Sequence, residues 1–108
     1  MDCNLVVLSG KIAADPELRV FETGSRLIRY LVTVRSEEPR RRVDVVPVTL
    51  WDPPDEMANQ LPAPGRHVWV TGMVQRRFWE ADEGRRSRLE VVAHQVEVKE
   101  PAPAAVEA

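Results

Sequence analysis

Residues 76–92, RRFWEADEGRRSRLEVV, set two adjacent aromatics, Phe78 and Trp79, between two clusters of arginine, with a short acidic, glycine-containing turn in the middle. Aromatic rings offer flat π-faces for stacking, and guanidinium groups are permanent cations that grip planar anions through paired hydrogen bonds. The arrangement runs against the composition, because the chain carries a net charge of −2 and has every reason to bury its few aromatics. Locally the balance reverses. Residues 76–88 hold five arginines (Arg76, Arg77, Arg85, Arg86, Arg88) against three acids, and residues 35–42 hold Arg35, Arg40, Arg41 and Arg42 against Glu37 and Glu38. Both excesses fall at expected turns, from which they could converge on one face.

Other chemistries find little support. Carboxylates are plentiful, but none sits opposite another in the manner of a glycosidase pair, and no Ser-His-Asp set, phosphate-binding loop or metal motif is present. Cys3 is the only cysteine, which excludes an intrachain disulfide and a thiolate metal cage; a packed structural role is expected for it. His67 and His94 lie far apart in strand-like segments, each without a second ligand at metal spacing, and are assigned surface or packing roles. The expectation is a protein that is not an enzyme, with no cofactor and no small-molecule substrate. No stretch approaches the ~20 apolar residues of a membrane span, and MDCNLVV lacks the basic and apolar parts of a secretory signal, so no membrane partner and a cytoplasmic location are expected.

A chain of 108 residues, 44% hydrophobic and 30% charged, suits one small globular domain. Its dominant period is two, the mark of half-buried strands. In NLVVLSGKI, Val6, Leu8 and Ile12 share one side and Ser9 and Lys11 the other, with Gly10 permitting a bulge or a close backbone approach. An Asp-Pro turn separates this strand from a short extended LRVFE, and Thr23-Gly24-Ser25 turns the chain into RLIRYLVTV. There Ile28, Tyr30, Val32 and Val34 alternate with Arg29, Thr33 and Arg35, and Tyr30 is expected in the core. RVDVVPVTLW resumes the alternation, with Pro47 suggesting an edge or a bulge. WDPPDEMANQL reads as one short helix with Asp52 as N-cap, Pro53 at the first helical position, and Met57 and Leu61 four apart. HVWVTGMVQRRFW and SRLEVVAHQVEV form a final hairpin around EADEGR. Phe78, out of phase with Trp79, is expected in the core, and Trp69 packed within the barrel or between protomers. The element order, all-β with about five strands and one helix between strands 3 and 4, is that of an oligonucleotide/oligosaccharide-binding (OB) fold barrel. Residues 1–98 are expected to form this domain and residues 99–108 a disordered, alanine- and proline-rich tail.

NLVVLSGKIAADPELR resembles the opening of bacterial single-stranded DNA-binding proteins: Asn4, Val6, Leu8, Gly10, Asp15, Pro16 and Arg19 match in type and spacing. Gly24, the VTLW ending, the helix closing on Leu61, GRHVWVTG, and RRFW followed by a turn and EVVA continue the match through residue 98 or so. The resemblance implies a sequence-tolerant protein that binds single strands on its barrel, as a homotetramer or, alternatively, a dimer. It also answers the question of the hairpin. Unpaired bases present π-faces whatever their identity, each worth ~1–3 kcal/mol when stacked, while arginines neutralise the phosphates.

By resemblance Trp51 and Trp79 occupy stacking positions and Arg77 a basic position on the same strand as Trp79, sharing its face by alternation. Charge alone adds Arg76, Arg85, Arg86 and Arg88 along the hairpin, Arg19 and Arg35 on neighbouring strands, and Arg40, Arg41 and Arg42 in the preceding loop. Val45 stands where well-studied members carry another stacking aromatic, and SEEPRRR offers none, so weaker binding per protomer is implied. PAPAAVEA has neither the long linker nor the acidic-hydrophobic tip of relatives, and the recruiting role of that tip is not carried over. The implied function is protection of single strands in replication, recombination or repair, in a nucleoid-associated protein. The competing reading is an OB-fold assembly subunit with weak or no nucleic-acid binding, motivated by fourteen basic and fourteen acidic residues cancelling over residues 1–96. RNA as the bound strand is a third.

Overall fold

A computed structural model describes residues 1–99. The strands are β1 (Val6–Ile12), β2 (Glu17–Val20), β3 (Arg26–Ser36), β4 (Arg42–Trp51), β5 (His67–Ala81) and β6 (Gly84–Val98), and one helix, α1 (Asp55–Asn59), lies between β4 and β5. They form a single sheet in the order β1-β5-β6-β4-β3-β2, and an additional β1–β3 pairing closes it into a five-stranded ring. This is the expected OB barrel. The tail assigned to residues 99–108 lies, apart from Lys99, outside the described residues. No described helix is long and apolar enough to cross a membrane.

The ring closes because β1 and β2 share one edge of β3. β2 pairs with its first half, from Glu17↔Arg29 to Val20↔Arg26, and β1 meets its second half at Lys11↔Thr33 and Ile12↔Val32. Gly10 makes the closure possible. A Cβ there would be driven into the Thr33 carbonyl oxygen, so only glycine lets the two backbones approach. The Asp15-Pro16 break and the Gly24 turn, with φ 91°, let the chain enter and leave β2.

Alternation fills the interior as expected. Ile12, Ile28, Tyr30, Val32, Val48, Leu50, Val68, Val70, Val91, Ala93 and Val96 form the buried core. Each fully buried aliphatic side chain is worth ~1.5–3 kcal/mol, which makes this contiguous cluster the main source of stability. α1 begins later than the sequence suggested. Pro54 is the capping residue, the helix starts at Asp55, and Asp52 is left outside with φ 50°. Two successive prolines place the first helical turn after Pro54, whose carbonyl accepts from the Met57 and Ala58 amides at 3.0 Å. Met57 and Leu61 still reach the core, although Leu61 lies beyond the last turn. Pro47 sits just outside the short β4–β6 contact at Val48 and Thr49, where β4 has only β3 as a neighbour.

Three expectations about burial are corrected. Cys3 is exposed, because it precedes β1 and no described element covers it. Phe78 is 51% exposed. It does point to the side of the sheet that forms the core lower down, but there the β5–β6 hairpin has run past the barrel. Trp69 alternates with the buried Val68 and Val70 and so faces outward, which excludes the barrel interior for it.

Tyr30 is 1% exposed, and its hydroxyl has no hydrogen-bond partner among the described residues. Burial pushes its pKa up from 10.0 to about 12. The folded state therefore holds the phenol proton more tightly than the unfolded one. The stability this contributes is complete below pH 10 and is lost as pH rises toward about 12. Tyr30 is the sole tyrosine, so tyrosinate absorbance follows one group. The expected result is an alkaline unfolding transition coincident with ionisation, moved to higher pH in Tyr30→Phe, with no loss of stability at neutral pH because no hydrogen bond is broken.

Candidate nucleic-acid interface

The same alternation that fills the core sends another set of side chains outward. On β3 and β4 these are cross-strand partners: Leu27 opposite Trp51, Arg29 opposite Thr49, Thr33 opposite Val45 and Arg35 opposite Val43. β2 adds Arg19 beside Leu27, and the hairpin adds Arg77 opposite Arg88 and Trp79 opposite Arg86. Arg77 and Trp79 thus share a face, as their spacing predicts.

Two adjoining recesses, each of about 350 Å³, cover this surface. Phe21 and Trp51 stand at one end, stacked with ring centroids 5.8 Å apart and planes 19° from parallel. Trp79 stands in the second recess, and Arg29 and Arg77 line both. Trp51 is 49% exposed and Trp79 41%, so each keeps a π-face open to solvent. Trp51 is held outward beside Leu50, which packs in the core, and Trp79 stands on the paired β5–β6 hairpin beyond the barrel.

Positive charge is concentrated in these recesses. The Arg29 guanidinium is pushed below the ordinary arginine value, first by loss of water and then by Arg77, Arg19 and Arg88, with Glu90 acting in the opposite sense. Its Nε has no partner among the described residues. Arg77 and Arg88 likewise form no ion pair among the described residues, so their charge is available. Arg19 is partly committed, donating to Glu17 at 2.8 Å. That bond holds the Glu17 carboxyl below its ordinary value. Arg76 also lines the first recess and donates to the Ser87 hydroxyl at 3.1 Å.

Six of the residues singled out in the sequence are therefore brought together: Trp51, Trp79, Arg77, Arg76, Arg19 and Arg88. The others are not. Arg35, Arg41 and Arg42 line a separate recess with Glu37, in which Arg42 pairs with Asp44 at 2.7 Å and Arg41 with Glu37 at 3.5 Å. Arg40 lies exposed in the same loop. The two basic excesses do not share one recess. At the hairpin tip Arg86 pairs with Glu83, and Arg85 lies 4.4 Å over the Phe78 ring on the other side of the sheet from Trp79. Phe21 and Arg29 were missed. Arg29 had a signal, an outward arginine between buried Ile28 and Tyr30, but nothing local distinguished it from Arg35. Phe21 follows the last residue of β2, where alternation gives no direction.

A family model described as the single-strand binding protein family matches residues 3–99. The chain belongs to that family. Family membership makes this a binding protein and not an enzyme. A single-stranded DNA-binding protein of Clostridium tetani is 32% identical over 102 residues, covering 90% of this chain and 70% of the relative. Single-stranded DNA-binding protein 2 of Listeria innocua is 31% identical over 103 residues, covering 91% of this chain and 65% of the relative. This chain therefore spans about two thirds of the length of those relatives. Among solved structures, a single-strand binding protein of Plasmodium falciparum in complex with single-stranded DNA superposes with a TM-score of 0.80 at 16% identity, covering 93% of this chain and 97% of the other. At that identity the likeness establishes the fold, and the family barrel is the barrel described above.

Proposed function

We propose that the protein binds single-stranded DNA without reading its sequence, through the outer face of β2, β3, β4 and the β5–β6 hairpin. One observation carries this reading: two outward indoles on one face, Trp51 and Trp79, with the guanidinium groups of Arg29, Arg77 and Arg88, which form no ion pair among the described residues, between and beside them. Stacking on either ring requires an exposed base face, which a duplex hides and a single strand presents. Phosphates of the same strand are the anions for Arg29, Arg77 and Arg88. The residues contribute geometry and charge, and no bond is made or broken.

A second copy of the chain is the expected partner. Among the described residues, β1 from Val6 to Gly10 pairs only with β5 and has no neighbour on its other edge. Leu5 and Val7, both exposed, lie beside that edge, and the exposed Trp69 stands across β1 on β5. An open strand edge with apolar side chains is a template for pairing with an identical strand. A homotetramer is the assembly we expect, and coating of exposed strands during replication, recombination or repair is the role, which places the protein in the cytoplasm with the nucleoid.

Titration with oligo(dT) at low salt is expected to quench tryptophan fluorescence, and added salt to restore it, because each neutralised phosphate on a single strand contributes ~0.7 to the slope of log K against log salt. A flat titration at micromolar protein would sink the proposal and favour an assembly role. Competition with oligo(rU) separates DNA from RNA.

A further inference from the structure

The β5–β6 hairpin beyond the barrel has two faces, and the groove uses one of them. Residues directly opposite in an antiparallel pair share a face, so the register Arg76↔Leu89, Phe78↔Ser87 and Glu80↔Arg85 gathers these side chains on the side away from Trp79. Within the barrel this side is the core, where Val91 is buried opposite Val74. Past the barrel it is open. Phe78 is 51% exposed there and Leu89 54%.

The chemistry of this second face repeats that of the groove. The Arg85 guanidinium lies 4.4 Å from the centroid of the Phe78 ring, yet half of the residue's surface remains exposed, room for a second planar group. Arg76 donates to the Ser87 hydroxyl at 3.1 Å, directly across from Phe78. Neither guanidinium forms an ion pair among the described residues. Glu80 is the one carboxylate on this face, and Arg85, which stands opposite it, lies over the ring instead. Two such cations beside an open ring favour a polyanion over an apolar protein surface, which would strip their water and replace it with nothing. A base on the ring, with its phosphates at the guanidinium groups, satisfies both.

We propose that Phe78 is a further stacking platform for the single strand, reached by passing round the edge of the hairpin; the inference rests on the DNA binding proposed above. Phe78 and Trp79 are consecutive and point to opposite faces, and at both positions β5 has no strand neighbour except β6 among the described residues. A strand leaving Trp79 therefore crosses the edge of a single β-strand to reach Phe78. Arg77 on the groove side and Arg76 on the far side flank that crossing, and Arg76 also borders the first recess.

The test uses the full chain and the variants Phe78→Ala, Phe78→Leu and Phe78→Tyr. The side chain is exposed, so the fold should survive, and an unchanged denaturation midpoint confirms it. Affinity is measured with an oligo(dT) short enough to fill the groove alone and with one long enough to pass round the hairpin. On the long strand Phe78→Ala and Phe78→Leu are expected to lose about 5- to 150-fold, the weight of one stacked base, and Phe78→Tyr to keep the unaltered affinity. The short strand is expected to bind every variant alike. Unchanged long-strand affinity in Phe78→Ala overturns the proposal. An equal loss on both strands also overturns it, because the ring would then act through the groove. Full retention by Phe78→Leu overturns it in a third way: the contact would be apolar packing, and a lower mass for Phe78→Ala in sedimentation would identify a second copy as the occupant. A long strand carrying 5-iododeoxyuridine needs no substitution. Irradiation is expected to join it to Phe78 as well as to the indoles, and crosslinks at Trp51 and Trp79 without one at Phe78 would reject the site. Failure of the short strand to bind the unaltered protein would defeat the proposed function itself, an outcome distinct from the others.

Discussion

Replacing Trp51 and Trp79 together with alanine is expected to weaken binding to oligo(dT) by ~2–6 kcal/mol, between ~30-fold and ~20,000-fold, because each indole contributes ~1–3 kcal/mol of base stacking. The fold should be indifferent to the change. Both rings are about half exposed: Trp51 follows Leu50, which faces the core, and Trp79 stands on the hairpin that runs past the barrel, so neither ring carries the core packing. The far-ultraviolet circular dichroism and the denaturation midpoint are therefore expected to match those of the unaltered protein. Trp69 is then the one remaining tryptophan. It lies on the β1–β5 surface, outside the groove, so DNA-dependent quenching should disappear and affinity is read instead from the anisotropy of a labelled strand. Wild-type affinity in the double variant would remove the stacking platforms from the mechanism. Salt supplies an independent check. With the rings gone, what binding survives is electrostatic, and its salt slope should stay close to that of the unaltered protein.

The second large effect is on stability. Gly72→Val is expected to abolish folding, and Gly72→Ala to cost ~3 kcal/mol or more. Gly72 is buried in β5, opposite Val6 of β1 and Ala93 of β6, where the β5–β6 register shifts. A Cβ at this position would strike the Val92 carbonyl oxygen and come within 2.8 Å of the Ala93 Cα. Both obstacles are backbone, held by pairing along the length of a 15-residue strand, and cannot turn aside as a side chain would. A small domain has only ~5–15 kcal/mol of total stability, so a loss of this size is a large share. Denaturant unfolding of the alanine variant reads it directly. A midpoint within error of the unaltered protein would show that the strand gives way more easily than its pairing implies.

The inward-facing set on β3 and β4 was legible in the chain: Ile28, Tyr30 and Val32, then Val46, Val48 and Leu50, recur at the spacing that a pleated strand imposes. The ring was suggested by the order of elements and sharpened by resemblance, because alternation says which side a residue faces and not which strand lies beside it. The same limit governed the site. Trp51, Arg77 and Trp79 could be placed outward, but Arg29 and Arg35 share the same phase on one strand and have separate fates. One faces Arg77 and Arg88 across the groove, and the other joins Lys11 and His67 where β1 meets β3.

Phe78 marks the boundary most clearly. Its phase put it on the core side of the sheet, and that much was right; its burial failed because the hairpin outruns the barrel. A two-residue period is a property of each strand's own backbone geometry, so residue order alone determined the inward and outward sets, the turns and the single short helix. Register, ring closure and the length by which one hairpin projects depend on contacts between residues far apart in the chain. Those contacts, which no local pattern encodes, decided which of the outward arginines surround the indoles and which are neutralised by a neighbouring carboxylate.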